Sequence, residues 1–382
     1  MPFAYLDREL LDRNIQDIAR AAGSKKIRVA SKSIRSVEVL RHIFSSGDTF
    51  QGIMCYTAAE AAFLAKQGFR DLLLGYPTWE PEGIRRLIEL IGEGHEITFM
   101  TDCVEHVDRI ATIGQELGVR VPLCLDIDMS SNFPGLRFGV WRSPLSEWDN
   151  VKPIVERMME SPWVRLDGVM GYEAQIAGVG DRVPGAALKN AVIRQLKRRS
   201  IREIAKRRTE IVHRIQALGV ELRIVNAGGT GSLSSSREEA HVTELTVGSG
   251  FYSPTLFDHY RDFRYRPAAG FAVEIVRKPR NDIVTCLGGG YIASGAPGIT
   301  KLPQPYLPQG LELIPLEGAG EVQTPLRYRG RIPNSLSLGD PVFFRHAKAG
   351  ELCERFDSLY VISDGVIVGE YSTYRGMGEN FL

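Results

Sequence analysis

Cysteine is scarce in this chain and never paired in sequence. Its five thiols (Cys55, Cys103, Cys124, Cys286 and Cys353) are scattered through 382 residues with no C-x-x-C spacing. That excludes a disulfide-stapled scaffold and a zinc ribbon, and it fits reduced thiols in the cytoplasm. An excess of charge of one sign is also missing. The formal net charge is +1, so no global field draws the protein to nucleic acid or to an anionic membrane. No run approaches the ~20 apolar residues that a bilayer span requires. The N-terminal MPFAYLDREL lacks a basic segment followed by an apolar stretch, so no signal peptide is expected. What is present is ordinary for a soluble globular protein, with 43% hydrophobic and 24% charged residues, and the length favours two domains.

Apolar strand-like runs alternate with segments of helical period. Strands are expected at Ile27–Ser31, Gly52–Tyr56, Asp71–Tyr76, Glu96–Met100, Val121–Ile127, Leu166–Tyr172, Leu222–Ala227 and Glu244–Gly248. Helices are expected over Val37–Phe44, over Ala58–Gly68 with its terminal glycine, and after Pro81, where Ile84, Leu87, Ile88 and Ile91 share one face. Thr101-Asp102 reads as the N-cap of a helix beginning near Val104, and a further helix, Arg8–Ala22, precedes the first strand. Strands apolar on both faces, alternating with helices, imply a covered parallel sheet. Eight such units in ~250 residues is the size of a (β/α)8 TIM barrel. The α/β class is therefore expected, with the barrel over residues 1–258. From 259 to 382 the segments are short and β-rich, which reads as a smaller C-terminal β domain, a barrel or a sandwich. Pro297–Pro308 reads as an ordered loop of that domain. The basic run Lys197–Arg208 reads as a solvated helix face and not as a nucleic-acid patch.

Chemistry in such a barrel belongs at the C-terminal ends of the strands. Lys32 follows the first strand, where it is either a salt-bridged rim residue or a partly desolvated amine able to form a Schiff base. After the seventh strand comes Asn226-Ala-Gly228-Gly229-Thr230-Gly231-Ser232, and after the eighth Gly248-Ser249-Gly250-Phe251-Tyr252. Glycine turns at these two places let backbone N–H groups approach a phosphate. After the fifth strand, Arg137 is either a fixed cation in the mouth or the partner of Asp126 or Asp128. After the sixth, Tyr172, Glu173 and Gln175 stand where a ring could stack or hydrogen-bond.

Taken in order, PFAYLDRELLDRNI, Lys32, LRFGV around Arg137, GYEAQIAG, NAGGTGS and ELTVGSGFY resemble the fold-type III pyridoxal-phosphate enzymes. Within that group the chain is most similar to the D-threonine aldolase and D-serine dehydratase branch, since His346 to Phe356 is comparable to a late segment there. The resemblance implies that Lys32 holds pyridoxal 5'-phosphate as a Schiff base and that Arg137 lies near the phenolic oxygen. It also implies that Tyr172 and Gln175 line the ring and substrate side. Asn226, Gly228, Gly229, Thr230, Gly248, Ser249, Gly250 and Tyr252 would surround the phosphate. The implied activity is that of a lyase, an aldolase or a dehydratase, on D-configured β-hydroxy amino acids, in a cytoplasmic homodimer whose partner is its small-molecule substrate.

There are departures from the pattern. The branch carries a divalent metal, zinc or manganese, on a His-x-Cys or His-x-Asp pair. Here the matching positions are Glu351 and Cys353, with His346 displaced upstream. Glutamate and thiolate can both bind zinc. The segment after the sixth strand has Glu173-Ala-Gln175 where relatives often have histidine. A racemase or decarboxylase on the same scaffold, or a non-catalytic cofactor carrier, are the alternatives. For a racemase Tyr291, Tyr306 and Tyr328 are the candidate second acid/base, though none lies in a matching motif.

Overall fold

The computed structural model describes residues 1–330 and 336–382. It separates into two compact units. One comprises Ala19–Lys32, Ile43–Gly248 and Phe381–Leu382; the other comprises Met1–Ile18, Ser33–His42 and Ser249–Asn380. The units therefore interleave along the chain and do not follow a single cut at residue 258.

The first unit holds a closed barrel of parallel strands: Lys26–Ala30, Phe50–Cys55, Leu72–Leu74, Ile97–Thr101, Val121–Asp126, Val164–Gly171, Ile224–Ala227 and Glu244–Val247. Closure is made by the eighth strand on the first, with Glu244 opposite Lys26 and Val247 opposite Val29. All eight expected strands are present, each shifted by a residue or two. The strand interiors are apolar because both faces are covered. Leu73, Met100, Cys124, Met170 and Ile224 pack together as one buried cluster. A second group of buried strand residues is ionic. Arg28, fully buried, donates to Glu244 at 2.6 and 2.9 Å and to the Asp71 carboxylate at 2.8 Å. Gly52 accommodates this network. It has φ +64°, and a Cβ there would lie 2.4 Å from the Arg28 Nη1.

The outer helices follow their sequence signals. Pro81–Gly92 begins at Glu80, whose carboxylate accepts from the backbone of Glu82 and Gly83, and it buries Ile84, Leu87 and Ile88. Each such side chain contributes about 1.5–3 kcal/mol on burial. The helix Val104–Leu117 is capped by Cys103 and not by the expected Thr101-Asp102, and the cap makes no side-chain bond. The basic run lies in the helix Ala187–Ala217, but it is not simply a solvated face. Lys197 is buried on Asp181 at 3.3 Å, and Arg208 is buried between Glu173, the Gly171 carbonyl and Glu239. Periodicity in an isolated segment does not show which charges have an internal partner.

In the second unit a nine-stranded sheet runs Leu311–Leu313, Gln323–Tyr328, Ile283–Leu287, Ala269–Arg280, Phe3–Asp7, Ser358–Ser363 and Val366–Ser372. Pro341–Arg345 branches from Ala269–Arg280 and carries Gln304–Leu307. The described strands thus form a branched sheet and not the expected closed barrel or sandwich. Part of the Pro297–Pro308 stretch, read as a loop, is the strand Gln304–Leu307. It pairs on one side only, which is where a strand tolerates proline. Phe271 and Phe344 stack at 5.2 Å in the apolar core of this unit.

Candidate active site at the barrel mouth

The first barrel strand ends in a 3-10 turn, Ser31–Ser33, held to the second strand by the Ser31 hydroxyl, which donates to the Met54 carbonyl at 3.0 Å. The turn projects Lys32. Its Nζ donates to the Tyr76 hydroxyl at 2.5 Å and lies 5.2 Å from that ring's centroid. Tyr76 closes the third strand, just after Gly75, whose N–H donates to the Cys55 carbonyl at 2.8 Å and where a Cβ would meet Met54 at 2.9 Å. Burial raises the tyrosine's pKa, but the Lys32 charge and hydrogen bond and the Arg142 guanidinium outweigh it, so the net shift is downward. The Lys32 side chain itself is exposed.

The fifth strand delivers Asp126, a residue only 9% exposed. Burial, then repulsion from Asp102, pushes it up to about 7 against the pull of Arg142, with Asp128 adding repulsion. The loop that follows carries two arginines with different surroundings. Arg137 donates to Asp128 at 2.8 Å and to the Val140 carbonyl at 3.1 Å, and its guanidinium lies 4.1 Å from the Trp141 ring centroid. Asp128 also accepts from the Ser130 N–H and hydroxyl. Arg137 is thus the salt-bridged loop residue that its spacing allowed. Arg142 instead lies over Tyr76 at 5.7 Å and over Tyr172 at 5.6 Å.

Tyr172, after the sixth strand, is half-buried. Its hydroxyl is pushed up to about 12 by burial, with the Arg142 charge opposing and Tyr76 and Glu173 adding to the rise. Its ring packs on the glycine turn of the seventh strand. Gly228 has φ +89°, and a Cβ on Gly229 would lie 2.8 Å from the Ala177 Cβ and 2.9 Å from the Tyr172 Cε2. The turn is stapled by Ser232, whose hydroxyl accepts from the Gly229 N–H at 3.0 Å. Thr230 within it is buried.

Other expected site residues have hydrogen-bond partners of their own. Gln175 is buried and donates to the Met129 carbonyl at 2.5 Å and the Ser200 hydroxyl at 2.8 Å. Glu173 is buried between Arg208 and the Ser236 hydroxyl. Asn226 bonds Glu244 and Thr246 side chains on the neighbouring strand. Each of these polar groups satisfies a buried neighbour that sequence spacing does not reveal. Gly248 ends the barrel unit, while Ser249, Gly250 and Tyr252 form the short helix Ser249–Tyr252 of the other unit. There the Ser249 hydroxyl bonds that of Ser33 at 3.2 Å, and the Tyr252 hydroxyl donates to the Ile34 carbonyl at 3.0 Å.

A divalent metal does not fit the Glu351 and Cys353 pair. Glu351 accepts from the Ser294 N–H and hydroxyl and pairs with Lys348 at 3.1 Å. The Cys353 thiol is buried and donates to the Ile34 carbonyl at 3.3 Å, and it does not converge with Glu351 and His346 into a ligand trio among the described residues. His346, the alternative ligand, holds the Lys348 backbone through Nδ1. Among the described residues one trio of ligand-type side chains converges, Asp102, Cys103 and His106. It sits at the start of the helix Val104–Leu117, where the dipole disfavours a cation. Pyridoxal phosphate, by contrast, fits the barrel mouth. A primary amine stands at one strand end, and a turn too tight for any side chain but glycine's stands at another.

Residues 6–255 match the family described as alanine racemase, N-terminal domain, and the chain belongs to that family of fold-type III pyridoxal-phosphate enzymes. In sequence it is 26% identical over 251 residues to the 3-hydroxy-D-aspartate aldolase of Paracoccus denitrificans (strain Pd 1222). That match covers 65% of this chain and 59% of the relative, so it spans less than two thirds of the relative's length. Among solved structures, D-threonine aldolase from Filomicrobium marinum superposes with a TM-score of 0.82 at 15% identity, covering 98% of this chain and 95% of that one. The D-threo-3-hydroxyaspartate dehydratase from Delftia sp. HT23 superposes with a TM-score of 0.75 at 19% identity, covering 98% and 97%. At these identities the structural likenesses establish the fold.

Sequence reasoning missed Tyr76 and Arg142 as site residues and treated Asp126 only as a possible partner for Arg137. Tyr76 and Asp126 had a usable signal, since each is a polar residue at or just beyond a strand's C-terminal end. Arg142 lies deep in an irregular loop and had none.

Proposed function

We propose that this protein is a pyridoxal-phosphate-dependent lyase acting on D-configured β-hydroxy amino acids. The observation that carries the reading is the Lys32 amine at the C-terminal rim of a closed parallel barrel, hydrogen-bonded to Tyr76. The substrates in the names of the relatives, 3-hydroxy-D-aspartate and D-threonine, supply the substrate class. In this reading Lys32 is the attachment point, Gly228, Gly229 and Thr230 receive the phosphate, and Tyr172 packs beside the ring. When bound, the cofactor supplies an electron sink for cleavage of a bond at Cα.

The chain's own groups manage protons and water. Lys32 Nζ, whenever the cofactor does not engage it, would be the base at this strand end, and the Tyr76 hydroxyl, 2.5 Å away, can take or return its proton. Asp126, titrating near neutrality, can hold a proton at the fifth strand end and release it at working pH. No step is assigned to a metal. A homodimer in a reducing cytoplasm is part of the proposal. The five unpaired cysteines support that compartment, and light scattering would read the oligomeric state.

Borohydride trapping of the purified protein tests the reading. The wild type should retain a covalent cofactor adduct after reduction, located by mass spectrometry on the peptide containing Lys32, and Lys32→Ala should retain none. D-threonine and 3-hydroxy-D-aspartate should then give an aldehyde with glycine, or ammonia with a keto acid. An adduct on another lysine, or neither product set, would sink the proposal.

A further inference from the structure

We infer that Arg142 is the carboxylate-binding residue of this mouth, and that it, not Arg137, fixes an acidic group of the substrate. The inference rests on the proposed function for the identity of the substrate, but its geometry stands apart from that reading.

A carboxylate site needs a cation whose charge is not already spent. Arg137 is neutralised by Asp128 at 2.8 Å, and the Lys32 amine is engaged with the Tyr76 hydroxyl. Arg142 is exposed and makes no ion pair or hydrogen bond among the described residues, but its position is not arbitrary. Its guanidinium lies within cation–π range of two rings, Tyr76 at 5.7 Å and Tyr172 at 5.6 Å. Those rings stand at the ends of the third and sixth strands, at the same rim as Lys32, and Tyr76 itself holds Lys32. Two aromatic contacts hold the guanidinium while leaving its N–H fork available for a planar bidentate partner. Asp126, the buried carboxyl that feels this charge, is about half protonated near neutrality and so is a weak internal competitor. The ligand chemistry is therefore a carboxylate, either the α-carboxylate common to all amino acids or the side-chain carboxylate of an acidic one.

Equilibrium binding of unreactive hydroxy acids separates these sources. D-malate carries both carboxylates and D-2-hydroxybutyrate only one; neither has an amine to react with the cofactor. Calorimetric titration of the cofactor-loaded wild type, Arg142→Ala and Arg142→Lys should show D-malate binding weakened about tenfold or more by Arg142→Ala. Arg142→Lys should be intermediate, since it keeps the charge and loses the fork. An equal loss for D-2-hydroxybutyrate assigns Arg142 to the α-carboxylate, and a loss confined to D-malate assigns it to the side-chain carboxylate. The inference is overturned if Arg142→Ala binds D-malate as tightly as the wild type, or if the wild type binds neither acid. It is also overturned if Arg142→Ala loses the borohydride-fixed adduct, which would make the residue a cofactor ligand. Failure of the wild type to form that adduct would instead refute the proposed function.

Discussion

Replacing Asp126 by asparagine should stabilise the protein at pH 8 and leave it nearly unchanged at pH 4. The residue is 9% exposed, and its carboxyl pKa rises from the ordinary 3.8 to about 7 through burial and repulsion from Asp102 and Asp128, which Arg142 offsets only in part. The folded state therefore keeps a proton that the unfolded chain has already released. The resulting penalty begins near pH 4, grows as the pH rises and is complete above about pH 7. At about 1.4 kcal/mol per tenfold change in proton affinity, the rise from 3.8 to about 7 sets a ceiling of ~4 kcal/mol. Half of that, ~2 kcal/mol after local relaxation, still moves the Tm of a unit this size by ~4–8 °C. Asparagine keeps the shape and stays neutral. Melting curves of wild type and Asp126→Asn from pH 5 to 8 at fixed ionic strength should diverge with rising pH. Turnover should fall in the variant, because a proton store at the strand end is lost. Parallel Tm curves across that range would refute the assignment of a strained carboxylate to this position.

Two further outcomes follow from packing. Gly229→Ala places a Cβ 2.9 Å from the Tyr172 ring and 2.8 Å from the Ala177 Cβ. It should lower cofactor affinity at least tenfold with a modest drop in Tm, read by equilibrium dialysis and by melting. Glu244→Gln uncouples a fully buried Arg28 from its closest carboxylate. It should cost about 3–5 kcal/mol by denaturant unfolding, and the double variant Arg28→Met with Glu244→Leu should recover part of that loss.

The barrel was legible because each strand is a short apolar run bounded by a helix of clear period, and burial on both faces leaves little ambiguity. The position of Lys32 followed from the same rhythm. Side-chain partners were another matter. Gln175, Asn226 and Arg137 carry the expected residue types, but their hydrogen bonds go to Met129, Ser200, Glu244, Thr246 and Asp128. Such pairings join distant parts of the chain, and residue spacing carries no information about them. The hydrogen-bond partners of Glu351 and Cys353 were hidden for a related reason. A motif position fixes where Cys353 lies in sequence, whereas its thiol chemistry depends on a surrounding core assembled from other segments.

The strand Phe3–Asp7 lies between Ala269–Arg280 and Ser358–Ser363, with Phe3 opposite Ala272 and Tyr5 opposite Tyr360. Of these three strands it is made first, and Ala272 follows roughly 15–50 s later at ordinary ribosomal rates. Until then both of its edges are open to foreign strands. A truncated product ending near residue 258 would keep this orphan ribbon permanently. Expression of the barrel half alone should therefore favour aggregates, and deleting the first seven residues from that fragment should relieve them.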